Sequence, residues 1–173
     1  MQSNTPRILV ADDDLGVIAA YRHVLEREQH ATVAGRRRAA DALDEELFGT
    51  APQKAEDTDW RVHFVDQGRD AVDAVRESMD KQDPFRIAFL DIQMPPGMDG
   101  YATARAMRRL DPNLDIVIVS GYSDYTPEEL TEVAGPADKL HFLPKPVWPD
   151  QLQAIALWLC DARRERMESA KRP

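Results

Sequence analysis

A chain of 173 residues, 43% hydrophobic and 31% charged, has enough material for one globular domain with a real core, and two domains would be cramped. Its 22 Lys and Arg against 31 Asp and Glu leave a formal charge of −9, the wrong sign for gathering phosphate backbones, so no direct nucleic-acid ligand is expected. A single cysteine, Cys160, excludes an internal disulfide framework and a thiolate-clustered zinc site and fits a reducing compartment.

The opening residues reach Asp12 before any apolar stretch long enough for a signal peptide, and no later run approaches ~20 apolar residues. The expectation is a cytoplasmic protein without a membrane segment. Ile8-Leu9-Val10-Ala11 is the first short apolar run, followed by a helical stripe of Leu15, Ile18, Val24 and Leu25. About thirty residues, Ala31 to Trp60, then intervene where a connection usually takes ~2 to 6. This reads as an insertion: Arg36-Arg37-Arg38, a helix candidate with Leu43 and Leu47, then Phe48-Gly49 and a polar link. Its ends fall on the amino-terminal edge of a βα sheet, which predicts an accessory contact surface.

Val62-His63-Phe64-Val65 is the second run, followed by a stripe of Val72, Val75 and Met79. Ile87-Ala88-Phe89-Leu90 is the third, followed by Ala104, Met107 and Leu110; Ile116-Val117-Ile118-Val119 is the fourth. Thr126-Pro127-Glu128-Glu129 has the form of a capping box, and Gly135-Pro136 would stop that helix. Leu140-His141-Phe142-Leu143 is the fifth run, and Leu152, Ile155 and Leu159 give the last stripe. Runs without polar alternation suit parallel strands covered on both faces. Strict alternation therefore predicts an α/β fold: a doubly wound, five-stranded parallel sheet with five flanking helices and a helical insertion. The domain is expected over 1–160, with the insertion at about 31–60. Residues 161–173 form a charged extension of the last helix or a connector.

In an open parallel sheet ligands bind beyond the carboxyl ends of the strands. There the runs deliver Asp12-Asp13-Asp14, Asp91, Ser120 and Lys145. Asp14 is the expected helix cap. Crowded carboxylates repel, which raises their pKa values unless a cation intervenes. Oxygen ligands without His or Cys at ligand spacing select a hard ion, and few protein ligands suit Mg²⁺. His23, His30, His63 and His141 make no metal pattern and read as surface or strand residues, while Met94, Met98 and Met107 read as packing. One carboxylate could then attack phosphorus, with Lys145 pairing to a phosphoryl oxygen and Ser120 donating to another.

Four blocks, Arg7-Ile-Leu-Val-Ala-Asp-Asp-Asp14, Phe89-Leu-Asp-Ile-Gln-Met-Pro-Pro-Gly-Met-Asp-Gly100, Ile118-Val-Ser-Gly-Tyr122 and Phe142-Leu-Pro-Lys-Pro146, resemble the signatures of the response-regulator receiver family. The resemblance implies a flavodoxin-like receiver fold with Asp91 as phosphoacceptor. It implies that Asp13 binds Mg²⁺ directly, Asp12 through water, and Gln93 through its backbone carbonyl. Lys145 would be the phosphate-pairing lysine, ahead of a cis bond to Pro146, and Ser120 and Phe142 the two switch residues. The implied partners are a histidine kinase or phosphotransfer protein and a fused or separate output domain, with a homodimer left open.

The Pro95-Pro96-Gly97-Met98 loop is one residue longer than the usual receiver pattern and must bulge; Gly121 stands where alanine is usual, and Phe142 has no ring hydroxyl. Together with Gln67-Gly68, Leu47-Phe48-Gly49 and Tyr122-Ser-Asp-Tyr125, the loop resembles a receiver subgroup often joined to histidine kinase or cyclic dinucleotide signalling domains. The function expected is phosphoryl acceptance and a conformational switch, the chain catalysing its own phosphorylation and dephosphorylation without being a turnover enzyme. A pseudo-receiver binding module is the alternative. A haloacid-dehalogenase-like phosphatase would need a second acid two residues after the nucleophile, where Gln93 stands.

Overall fold

The computed structural model describes residues 5–27, 60–121, 131–132 and 134–169. Five parallel strands, β1 (Arg7–Ala11), β2 (Arg61–Val65), β3 (Ile87–Asp91), β4 (Asp115–Ser120) and β5 (Leu140–Pro144), pair in the order β2-β1-β3-β4-β5. The described helices are α1 (Leu15–Arg27), α2 (Gly68–Asp80), α3 (Gly100–Leu110) and α4 (Pro149–Ser169), with a short 3₁₀ turn at Ala137–Lys139. The strand order reverses between β1 and β3, so the doubly wound α/β architecture holds, with its switch point beside Asp12 and Asp91. Each apolar run of the sequence lies within a strand.

Chain contacts divide the protein into two compact units, Met1–Ala19 with Trp60–Val147 and Ala20–Asp59 with Trp148–Pro173. The first holds the sheet, and its central strands β1, β3 and β4 are buried apart from Arg7 and Ser120. Edge strands β2 and β5 are only partly covered, because each has a neighbour on one side alone. One core packs Leu9, Leu90, Ile116 and Ile118 of the sheet with Val72 and Val75 of α2 and Ala104 and Met107 of α3. Met94 and Met107 are fully buried and Met98 packs against that core.

Two helix stripes differ from expectation. Leu15 is 70% exposed, and Tyr21 takes its place on the buried face with Ile18, Val24 and Leu25. Leu15 is the first residue of α1. Met79 is also exposed, because the buried face of α2 turns toward Ala71, Val75 and Ser78; the Ser78 hydroxyl is satisfied by donating to the Val75 carbonyl at 2.7 Å. Leu110 is half-buried against the core.

In the second unit Leu152, Ile155 and Leu159 are buried as expected, and α4 runs on through Cys160 to Ser169. No helix among the described residues is long and apolar enough to cross a membrane. The insertion, with Leu43, Leu47 and Phe48, and the capping box at Thr126 lie outside the described residues. What is described of that region is a helical turn at 131–132 and 134, closed by the Gly135 amide donating to the Thr131 carbonyl at 2.9 Å.

Candidate functional site

Register explains why residues far apart in sequence meet. In a parallel sheet all carboxyl ends lie on one rim, and the pairs Ala11↔Leu90, Asp91↔Val119 and Ser120↔Pro144 set Asp12, Asp91, Ser120 and Lys145 along it. One carboxylate oxygen from each of Asp12, Asp13 and Asp91 lies within 4.8 Å of the others. Lys145 Nζ bridges two of them, 3.3 Å from Asp12 Oδ2 and 3.0 Å from Asp91 Oδ2.

These charges are held by the backbone. The Asp14 amide donates to Asp12 Oδ1 at 2.9 Å, and Asp14 Oδ1 accepts from the Gly16 and Val17 amides, which makes Asp14 the cap of α1. Asp99 caps α3 in the same way, accepting from the Ala102 amide at 2.7 Å. The Lys145 amide donates to the Ser120 carbonyl at 2.7 Å, tying β5's end to β4's, and the Lys145–Pro146 bond is cis.

Burial and the neighbouring charges act on both Asp12 and Lys145. Asp12 is 2% exposed, and burial pushes its pKa up; the Asp14 amide and Lys145 work against that rise, and the Asp91 carboxylate adds to it. For Lys145 burial alone would lower the pKa, yet hydrogen bonding to Asp91 and the charges of both acids hold it above the ordinary lysine value. Three clustered carboxylates, two of them paired with Lys145, are a donor set that fits a hard divalent cation.

The remaining sequence candidates sit around this centre. Ser120 is half-buried at the end of β4, its hydroxyl donating weakly to the Gly121 carbonyl at 3.4 Å. Gln93 is exposed, two residues beyond Asp91. Phe142 lies inside β5, opposite Ile118, packed on the edge of the core. His141 is more than a strand residue: its Nε2 lies 3.6 Å from Asp115 Oδ1, at the other end of the sheet.

The sequence blocks contain Gly100 and Gln67-Gly68, but their part in seating the acceptor loop was not read from them. The Gly100 amide donates to the Ile92 carbonyl at 2.8 Å, and a Cβ on Gly100 would collide with the Asp91 carbonyl oxygen, so α3 starts directly against the acceptor's backbone. A Cβ on Gly68 would likewise strike Thr103 Oγ1 and the Met98 carbonyl, which brings the start of α2 onto the same loop. Their place in the signature pattern marks these glycines, and local spacing says nothing of what faces them. The loop bulges, with the Gly97 amide donating to the Met94 carbonyl at 3.2 Å, and borders an open hollow of about 440 Å³ lined by Ile92 to Gly97 and Asp99.

Comparison with known proteins bears on the family and the fold. Residues 50–157 match the family described as response regulator receiver domain. The transcriptional regulatory protein ZraR of Escherichia coli (strain K12) is 32% identical over 95 residues, covering 55% of this chain and 20% of that protein. The chain thus spans about a fifth of the length of the curated relatives it matches. Among solved structures, a response regulator receiver protein from Sinorhizobium medicae WSM419 aligns with a TM-score of 0.57 at 23% identity, covering 92% of this chain and 98% of that one. A CheY-like receiver domain protein from Methanospirillum hungatei JF-1 aligns with a TM-score of 0.62 at 20% identity, covering 94% and 99%. Likeness at these identities concerns the fold.

Proposed function

The chain belongs to the response regulator receiver family of two-component signalling, and on that premise we propose that Asp91 accepts a phosphoryl group from a histidine kinase or phosphotransfer protein. An Asp91 carboxylate oxygen attacks phosphorus; the bond from phosphorus to the donor's imidazole nitrogen breaks, that nitrogen keeps the electron pair and takes up a proton, and an acyl phosphate remains on Asp91. The observation that carries this reading is the Lys145 ammonium at 3.0 Å from Asp91 and 3.3 Å from Asp12, inside a cluster of three acids.

Each side chain has a part derived from its place. Lys145 is prepositioned to follow negative charge from the Asp91 carboxylate to the phosphoryl oxygens, and its raised pKa keeps it protonated. Asp12 and Asp13, with Asp91 and the Gln93 carbonyl, would hold Mg²⁺, which when bound neutralises the charge of the acids and of the incoming phosphoryl oxygens. The Ser120 hydroxyl, at the end of β4, donates to a phosphoryl oxygen. That movement, passed along β4 to the neighbouring Phe142 of β5, is the switch read by an output domain.

The test is intact mass after incubation with a small phosphodonor and Mg²⁺. Wild type should gain one phosphoryl group and Asp91→Asn none. Equal labelling of the Asn variant would move the acceptor elsewhere, and an unlabelled wild type would make the chain a pseudo-receiver.

A further inference from the structure

Gln67 stands at the N-cap position of α2, yet its side chain makes no capping bond to its own helix. Instead it reaches across to the loop after Asp91, where Nε2 donates to the Pro95 carbonyl in a long bond of 3.5 Å. Its Oε1 occupies the place a Cβ of Gly97 would take, and the nearest other atom such a Cβ would meet outside Gln67 is the Met94 carbonyl oxygen at 3.9 Å. A residue that forgoes its local helix cap leaves an orphan amide that Ser, Thr, Asp or Asn would satisfy at no extra length. The loop it touches has one further cross-link of its own at this point, Gly97 to Met94.

We infer that Gln67 is a positioning residue for phosphorylation, clamping the bulged loop Pro95–Gly97 and, through it, the Gln93 carbonyl proposed above as a metal ligand. The inference rests on the functional reading above. Gln67 touches neither the acids nor the phosphoryl group; it acts through the loop. Its bond is neutral and partly exposed, so losing it should weaken Mg²⁺ binding roughly two- to tenfold and leave the reaction itself intact.

A double-mutant cycle tests this. Gln67→Ala removes the clamp, and Gly97→Ala displaces it by placing a methyl where Oε1 lies. If both act through the same contact, the double variant should bind Mg²⁺ no worse than Gln67→Ala alone. Mg²⁺ titrations followed by amide shifts give the affinity, and hydrogen exchange at the Gly97 amide in metal-free protein should quicken in Gln67→Ala. With a small phosphodonor, the Mg²⁺ concentration for half-maximal labelling should rise while the maximal rate holds. A drop in thermal stability with unchanged Mg²⁺ affinity, or fully additive effects of the two substitutions, would overturn the inference alone. Wild type that binds no Mg²⁺ would overturn it together with the functional reading.

Discussion

Two ends of one sheet both bury carboxylates, and they use them oppositely. At the carboxyl end Asp12, Asp13 and Asp91 cluster, Lys145 pairs with Asp12 and Asp91, and Asp12 has a pKa raised by burial. At the amino end Asp115, 1% exposed, faces Lys139 at 3.3 Å and His141 at 3.6 Å. Burial alone would raise the Asp115 pKa as well; its two basic neighbours outweigh that and hold it below the ordinary value. Beside it the buried Arg108 donates to the carbonyls of Ala134, Pro112, Leu114 and Lys139, joining the end of α3 to the starts of β4 and β5. The lesson is that a buried acid does not itself announce a site. Negative charge in excess of its partners does, since evolution has no structural use for repulsion it could have neutralised.

The largest effect that would sharpen this contrast is Asp115→Asn. It leaves Lys139 without its buried counter-charge and removes the carboxylate beside His141 Nε2, and should cost about 3 kcal/mol of stability in urea unfolding, while Asp91 in the folded protein still labels. A neutral outcome would mean that the amino end is no more committed to stability than the rim. Asp13→Asn should do the reverse: Mg²⁺ affinity falls by about tenfold or more, as expected for one charge-assisted ligand, and the metal-free fold becomes no less stable because repulsion within 4.8 Å is relieved. Unchanged affinity by calorimetry would remove Asp13 from the metal site.

Acid titration offers a subtler separation. The Asp115 pKa is lower folded than the 3.8 of the free group, so the unfolded chain binds the extra proton: its stabilisation is present above 3.8 and is lost as pH falls through the folded value. Asp12 is raised above 3.8, so the native state binds the extra proton and stability declines as pH rises from 3.8 through the folded value. Unfolding free energies measured across the acid range without metal should therefore lose an ascending step in Asp115→Asn and a descending one in Asp12→Asn; the same sign in both would collapse the contrast. The smallest expected signal is in the switch. Beryllofluoride, a mimic of the phosphoryl group, should shift amide resonances beyond the rim as far as Phe142 and Leu143, and shifts confined to residues touching Asp91 would describe a rigid module.

Much of this was legible in the sequence because local patterns carry local physics. An unbroken run such as Ile87-Ala88-Phe89-Leu90 must be covered on both faces, and parallel strands must end on a common rim, so Asp12, Asp91, Ser120 and Lys145 could be grouped before any contact was known. The Asp14 cap followed equally from an acid just ahead of a helical stripe. Where the reading slipped, at Leu15 and Met79, the cause was that periodicity gives a face but not its centre or where its cover ends. Tertiary structure alone decided the pairings across the chain: Lys145 against both Asp12 and Asp91, His141 and Lys139 against Asp115, and Gln67 against Gly97. Those contacts depend on strand register and on how closely one helix start approaches a neighbouring loop, distances that no spacing within a single segment encodes.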